Sequence, residues 1–355
     1  MSSQGSPDYS TLTRVLRDPS HLDRLSPEAL SRFLDAANAA RLLGWALTQC
    51  RNAHVADRAP AWLQDRLRAA DALAASYERS IRWEIDRLAR AFYGTGQRWI
   101  LLKGGGYVAA GLPPGIGRRV ADIDVLVPRS DLARVEGLLH DHGWDVPELD
   151  PYDERYYREW MHELPPMVHR ERQSIVDVHH AILPGTSRLH PTSERLLERA
   201  VPAGDVLVLC QSHMILHAAA HLFHDGEIAG AIRDLVDIDQ LLRCFSRDPA
   251  FWDDFLREAR ALDLKRPAYY AVSYARQWFA TPVPDDVLRA LQLWAPPAPV
   301  DRVMELLVRR SIASAAGRGS SFAVFALYVR SHWLRMPPWR LVTHLTRKAF
   351  RGAQG

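Results

Sequence analysis

Cysteine is scarce: Cys50, Cys210 and Cys244 are the only three in 355 residues, far apart and without CxxC spacing. An odd, scattered set excludes a disulfide framework and a cysteine zinc site, and it suits a reducing compartment, so a cytoplasmic location is expected. Lysine is equally rare, since Lys103, Lys265 and Lys348 are the only lysines among 45 basic residues. The arginine excess by itself says nothing about partners. Long apolar runs are missing too: Phe322–Val329 is the longest candidate, far short of the ~20 residues of a membrane span. The opening MSSQGSPDYS has no basic-then-apolar signal pattern. Repeats and low-complexity tracts are absent, and so is the G-x-x-x-x-G-K-[ST] order of a Walker loop. What remains is ordinary globular material, 47% apolar and 25% charged with a net charge of +3, which rules out disorder for the bulk of the chain.

The pattern changes twice along the chain. Ser26-Pro27-Glu28 reads as an N-cap, a first-turn proline and a first-turn acid, opening a helix expected to run to about Cys50. A second, longer helix starts at Pro60 with apolar positions at Leu63, Leu67, Ala70, Leu73, Ile81, Ile85 and Leu88 and ends at Gly94 and Gly96. The middle third alternates. Trp99–Leu102 is a short apolar strand that stops at Lys103-Gly104-Gly105-Gly106, a turn expected to open a helix near Ala109-Ala110. Ile123, Val125 and Val127 alternate with Asp122, Asp124 and Leu126, and Pro128 closes that strand. Ser130 is placed to cap a helix ending at Gly143, and residues 164–169 and 174–179 read as two strands joined by a polar turn. From about Cys210 the pattern is helical again. The expected fold is α+β: a small mixed sheet over 95–205, flanked by an N-terminal helical region (1–94) and a C-terminal helical domain with a basic tail (206–355).

Chemistry concentrates on the acidic strand. Residues i and i+2 of a strand share a face, so Asp122 and Asp124 project side by side. A solvated edge strand would carry such a face without consequence; a cation between the two would remove their repulsion. Asp177, in Ile175-Val176-Asp177-Val178-His179, has the same period and shares its face with His179. If that strand lies beside the first, three oxygen-only acids converge, a donor set suited to Mg²⁺. The glycines after Lys103 let backbone N–H groups approach an anion, and a lysine in an arginine-dominated chain offers a compact charge at that point.

Leu102-Lys103-Gly104, Arg118 four residues before Asp122, the run Asp122–Val127, the helix to Gly143-Trp144 and Asp177-Val178-His179 together resemble the nucleotidyltransferase fold of the DNA polymerase β superfamily. More narrowly, they resemble a bacterial group of uncharacterised nucleotidyltransferases, over roughly residues 95–245. The resemblance implies transfer of a nucleoside monophosphate from an NTP, with ATP the first expectation, to an acceptor hydroxyl with release of pyrophosphate. It implies Mg²⁺ held by Asp122, Asp124 and Asp177, with Asp177 also taking the hydroxyl proton. Lys103, Gly104 and Gly105 would hold the triphosphate, and Arg118 would neutralise developing charge. Two departures stand out: Gly104-Gly105 replaces the usual Gly-Ser, and the third acid is Asp177 where the narrower group often has Glu. The missing hydroxyl keeps open a non-catalytic module that binds a nucleotide or RNA. The acceptor could be a small molecule, a peptide, a protein or an RNA.

His213, His217 and His221 recur every four residues. They are read either as packed and hydrogen-bonded, as lining the cleft together with His179 and Asp237, or as a metal site, and Asp237 on the next helix also as orienting a histidine or an arginine. From Asp301 to Gly355 ten basic residues face two acids, with Trp333, Trp339 and Phe350 interleaved. This is either a packed solvated face or a surface contact for a membrane or nucleic acid.

Overall fold

A computed structural model describes residues 9–225, 232–313 and 321–335. Five helices come first: Tyr9–Arg17, Pro27–Ala39, Leu43–Asn52, Val55–Arg58 and Ala61–Phe92. Ser26 caps the second as expected, its Oγ accepting from Ala29 N at 3.2 Å. The single helix expected from there to Cys50 is in fact two, because Arg41 turns the chain with a left-handed φ of 59°. No glycine marks that break, so composition could not reveal it.

Seven short strands follow: β1 (Ile100–Leu101), β2 (Asp122–Leu126), β3 (Trp144–Asp145), β4 (Met167–His169), β5 (Ile175–His179), β6 (Val201–Ala203) and β7 (Val206–Val208). They form one sheet in the order β3-β4-β5-β2-β1-β7-β6. β2 pairs with β5, and β1 with β7, in parallel; the other pairs are antiparallel, so the sheet is mixed. β2 lies at the centre of that order, and Ile123 to Val127 are all buried, including Leu126 on the face that alternation assigned to the acids. Both faces of a central strand are covered, so alternation of burial fades there.

Three local readings need correction. The glycines do not form a turn ahead of a helix: Lys103 to Gly106 are the first turn of the Lys103–Ala109 helix itself, with Gly106 N donating to Leu102 O at 3.0 Å. Ser130 does not cap the Leu132–Asp141 helix; its hydroxyl donates to Asp131 Oδ1 at 2.9 Å, and a 3-10 turn leads into the helix. The strand expected over 164–169 is shorter, because Pro165 and Pro166 cannot donate to a ladder. Leu164 still pairs, its N–H donating to Val178 O at 2.9 Å.

The C-terminal part is helical: Gln211–Ala220, Ile232–Phe245, Phe251–Ala261, Lys265–Phe279, Asp285–Gln292, Ala298–Ala313 and Ser321–Arg335. One apolar core runs from Leu12 to Leu327 through all of these layers. No helix among the described residues is long and apolar enough to cross a membrane. Much of the basic C-terminal stretch, residues 314–320 and 336–355, lies outside the described residues.

Candidate active site

The parallel pairing of β2 with β5 sets Asp124 directly opposite Asp177. Register partners share a sheet face, so Asp122, Asp124 and Asp177 occupy one face, with His179 two residues beyond Asp177. Asp122 is exposed at the start of its strand, Asp124 is buried, and Asp177 is half-buried. The sequence pattern alone gave the first two a common face; the third joins them through strand pairing.

Asp124 is firmly held. It accepts from Lys103 Nζ at 2.7 Å and from His179 Nε2 at 3.0 Å, both on Oδ1. Burial works against its charge, but Lys103 and His179 outweigh burial and keep the carboxyl far below the usual carboxylate range. Asp177 is the opposite case. Burial, followed by the charges of Asp124, Glu163 and Asp122, pushes its carboxyl up to about 7. Its Oδ1 is buried and meets no hydrogen-bond donor.

Lys103 reaches Asp124 from an unusual backbone position, with φ of 41° in the left-handed region. A non-glycine residue there costs on the order of 1 kcal/mol and persists where the surroundings fix it. Burial disfavours its charge, but Asp124, Glu163 and Asp122 keep the ammonium protonated well above its ordinary range. Gly104 has a packing reason of its own: a Cβ there would come within 2.7 Å of Arg118 Nε. Arg118 is committed elsewhere than an open cleft. Its guanidinium is ion-paired with Asp237 and lies over the Tyr107 ring, 5.4 Å from the centroid. Asp237, read from sequence as an orienting acid, therefore orients an arginine, and Arg233 Nε lies 3.7 Å from the same carboxylate oxygen, Oδ2.

The histidine row divides. His213 is fully buried away from the acids, its Nε2 2.9 Å from Glu258 Oε2. His217 is buried too, and burial, then the positive charges of Lys103, His221 and His179, hold its imidazole well below the usual range. Its charge state is thus coupled to Lys103 and Asp124, while His221 remains half-exposed. Two further residues come in that sequence reasoning missed. Glu163 forms an antiparallel bridge with His179, and Glu163 Oε2 lies 3.3 Å from His179 Nδ1. His162 lies against the same ring at a tilt of 37°, with centroids 5.3 Å apart. Their only signal in the sequence is an adjacent His-Glu ahead of two prolines, outside any periodic segment.

A mixed sheet that sets two carboxylates of one strand against a third on its parallel neighbour, beside a strand that runs straight into a Lys-Gly helix, is the framework of a phosphorus-group transferase. The chain belongs to the family described as uncharacterised nucleotidyltransferase, whose model matches residues 26–280. No curated protein and no solved structure matches the chain.

Proposed function

We propose that this nucleotidyltransferase moves a nucleoside monophosphate from an NTP to an acceptor hydroxyl and releases pyrophosphate, with Mg²⁺ held by Asp122, Asp124 and Asp177. The observation that carries the reading is the register of Asp124 against Asp177. The donors fit a hard cation: all are carboxylate oxygens, and the buried Asp177 Oδ1 is unsatisfied by the protein. Mg²⁺ bound there would neutralise charge on the triphosphate. The chain's own residues supply the rest. Asp177, whose Oδ1 meets no protein donor, would take the proton of the acceptor hydroxyl, its carboxylate kept ionised by the cation. Lys103 spends one N–H on Asp124 and has two left for phosphate oxygens. The backbone N–H groups of Gly104 and Gly105 add to that grip, and Arg118, braced by Asp237, backs the Gly104 turn. His179, His217 and His221 line the acceptor side.

The test is pyrophosphate release from each NTP, ATP first, with and without Mg²⁺, against pooled small-molecule, peptide and RNA acceptors. Release that needs Mg²⁺ and is lost in Asp122→Asn supports the proposal. Tight NTP binding with no release under any condition would instead favour a non-catalytic nucleotide- or RNA-binding module.

A further inference from the structure

Outside the three aspartates, His162, Glu163 and His179 bring one ligating atom each to within 4.8 Å of one another. Two are buried and Glu163 is half-buried. Backbone pairing puts them there. Glu163 bridges His179 across an antiparallel step, and His180 N donates to His162 O at 2.8 Å. The segment holding both ligands is therefore pinned along the end of β5.

We propose that His162, Glu163 and His179 form a site for a divalent transition metal, separate from the aspartate site and with a preference of its own. The first argument is the orientation of His179. Its Nε2 meets Asp124 Oδ1 at 3.0 Å, while its Nδ1 faces Glu163 Oε2 at 3.3 Å. A metal-bound imidazole ordinarily gives its second ring N–H to a carboxylate, which fixes the tautomer. Asp124 provides that partner, and the nitrogen left for an ion points at Glu163. The second argument is donor chemistry. Two imidazoles and one carboxylate suit Zn²⁺, Co²⁺ or Mn²⁺, whereas Mg²⁺ prefers oxygen alone. The third is size. Metal–ligand bonds of ~2.0–2.1 Å place tetrahedral ligands ~3.3 Å apart, so a cluster within 4.8 Å closes with small side-chain rotations. The fourth is local charge. Asp122, Asp124, Glu163 and Asp177 are four carboxylates set against the ammonium of Lys103 and the ring of His179. With three protein ligands, the ion would keep an open position for water or substrate.

The alternative arrangement is a metal-free imidazolium at His179, lying between Asp124 and Glu163, and a spectroscopic titration separates the two. Co²⁺ is visible through its d–d bands in a nitrogen-containing site and Mg²⁺ is silent. The full chain, freed of metal by a chelator, is titrated with Co²⁺ in excess Mg²⁺. The expected result is saturable visible bands at one ion per chain, displaced by Zn²⁺. Glu163→Gln, nearly isosteric and partly exposed, and His162→Gln should each weaken Co²⁺ binding at least ~10-fold, with far-ultraviolet circular dichroism confirming the fold. Asp122→Asn, which removes a nearby charge but no ligand, should weaken Co²⁺ binding far less than Glu163→Gln or His162→Gln, which keeps this site distinct from the proposed Mg²⁺ site. No bands, unchanged affinity in a folded Glu163→Gln variant, or loss of the bands in Asp122→Asn but not in His162→Gln would each overturn the assignment.

Discussion

Replacing Asp124 and Asp177 by asparagine, one at a time, should move the stability of the metal-free protein in opposite directions. Asp124 is a buried carboxylate that accepts from Lys103 at 2.7 Å and His179 at 3.0 Å. Asparagine keeps its shape but loses the charge, and the Lys103 ammonium is left without its closest counter-ion. Charge-assisted hydrogen bonds are worth ~1.5–3 kcal/mol each, part of it cancelled by no longer burying the anion, so ~2–4 kcal/mol of destabilisation is expected. Because the folded carboxyl titrates below the unfolded one, this contribution is present at all pH values above ~4 and fades only as acid protonates it. Asp177 works the other way. Its folded carboxyl titrates at about 7, against ~3.9 unfolded, so the folded chain holds the proton more tightly and stability falls as pH rises from ~4 to ~7. Three pH units at ~1.4 kcal/mol each set a ceiling of ~4 kcal/mol, and relaxation around a partly solvated group brings the expected penalty to ~1–2 kcal/mol. Asp177→Asn removes it. Urea unfolding in chelator should show the Asp177→Asn midpoint above wild type at ~pH 8, by about a third as much at ~pH 5 and not at all near ~pH 3, with Asp124→Asn lower at ~pH 8 and ~pH 5. A lower midpoint for Asp177→Asn at the higher pH, or a gain that ignores pH, would refute the reasoning.

Lys103→Ala should weaken NTP binding at least ~10-fold by calorimetry and lower the melting temperature as well, since it strips Asp124 of its cation; unchanged affinity would remove Lys103 from the phosphate site. His217→Ala, at a buried position, should lower the melting temperature before it affects NTP binding, whereas half-exposed His221→Ala should leave melting unchanged and reduce transfer at constant NTP affinity. Asp237→Asn should destabilise by ~2–4 kcal/mol in thermal unfolding, because Arg118 and Arg233 would face each other without their shared carboxylate, and adding Arg118→Met should recover part of the loss.

What could be read from the sequence was what has a period or a cap. The acidic strand, the Ser26 cap and the β4–β5 hairpin all announce themselves in local spacing. The two-residue β1 shows as an apolar run stopped by Lys103, but the three-residue β6 and β7 are too short to show a period, although Gly204-Asp205 sits at their turn with Gly204 at φ 63°. The parallel pairing that brings Asp177 to Asp124 is a tertiary fact that spacing could only make conditional. The grip of Lys103 on Asp124 was hidden for the same reason, 21 residues separating the partners. The i, i+4 row of histidines suggested a common role, but packing sends His213 to Glu258, while the charges of Lys103 and Asp124 act on His217.

The helical regions on either side of the sheet converge on one loop, the stretch that leads into the D-x-D strand. On the N-terminal side, Gly117 packs so closely that a Cβ there would come within 2.8 Å of both Gly44 Cα and Ala74 Cβ, and a Cβ on Gly44 would collide with the Ile116 carbonyl. Gly44 lies in the Leu43–Asn52 helix and Ala74 in the Ala61–Phe92 helix, so two N-terminal helices press on this one point. One residue later, Arg118 leaves the loop and pairs with Asp237 of the C-terminal Ile232–Phe245 helix. The same guanidinium occupies the space that a side chain at Gly104 would need. Glycine at 44 and 117 is therefore required by close backbone approach, a side chain at 104 would have to displace Arg118, and each contact bears on where Asp122 begins its strand. A carboxylate triad is useful only if its members are held to within fractions of an ångström, and two-residue strands such as β1 cannot supply that rigidity alone. The family match over 26–280 takes in every one of these contacts, so the clamp from both helical regions belongs to the same unit as the acids whose position it fixes.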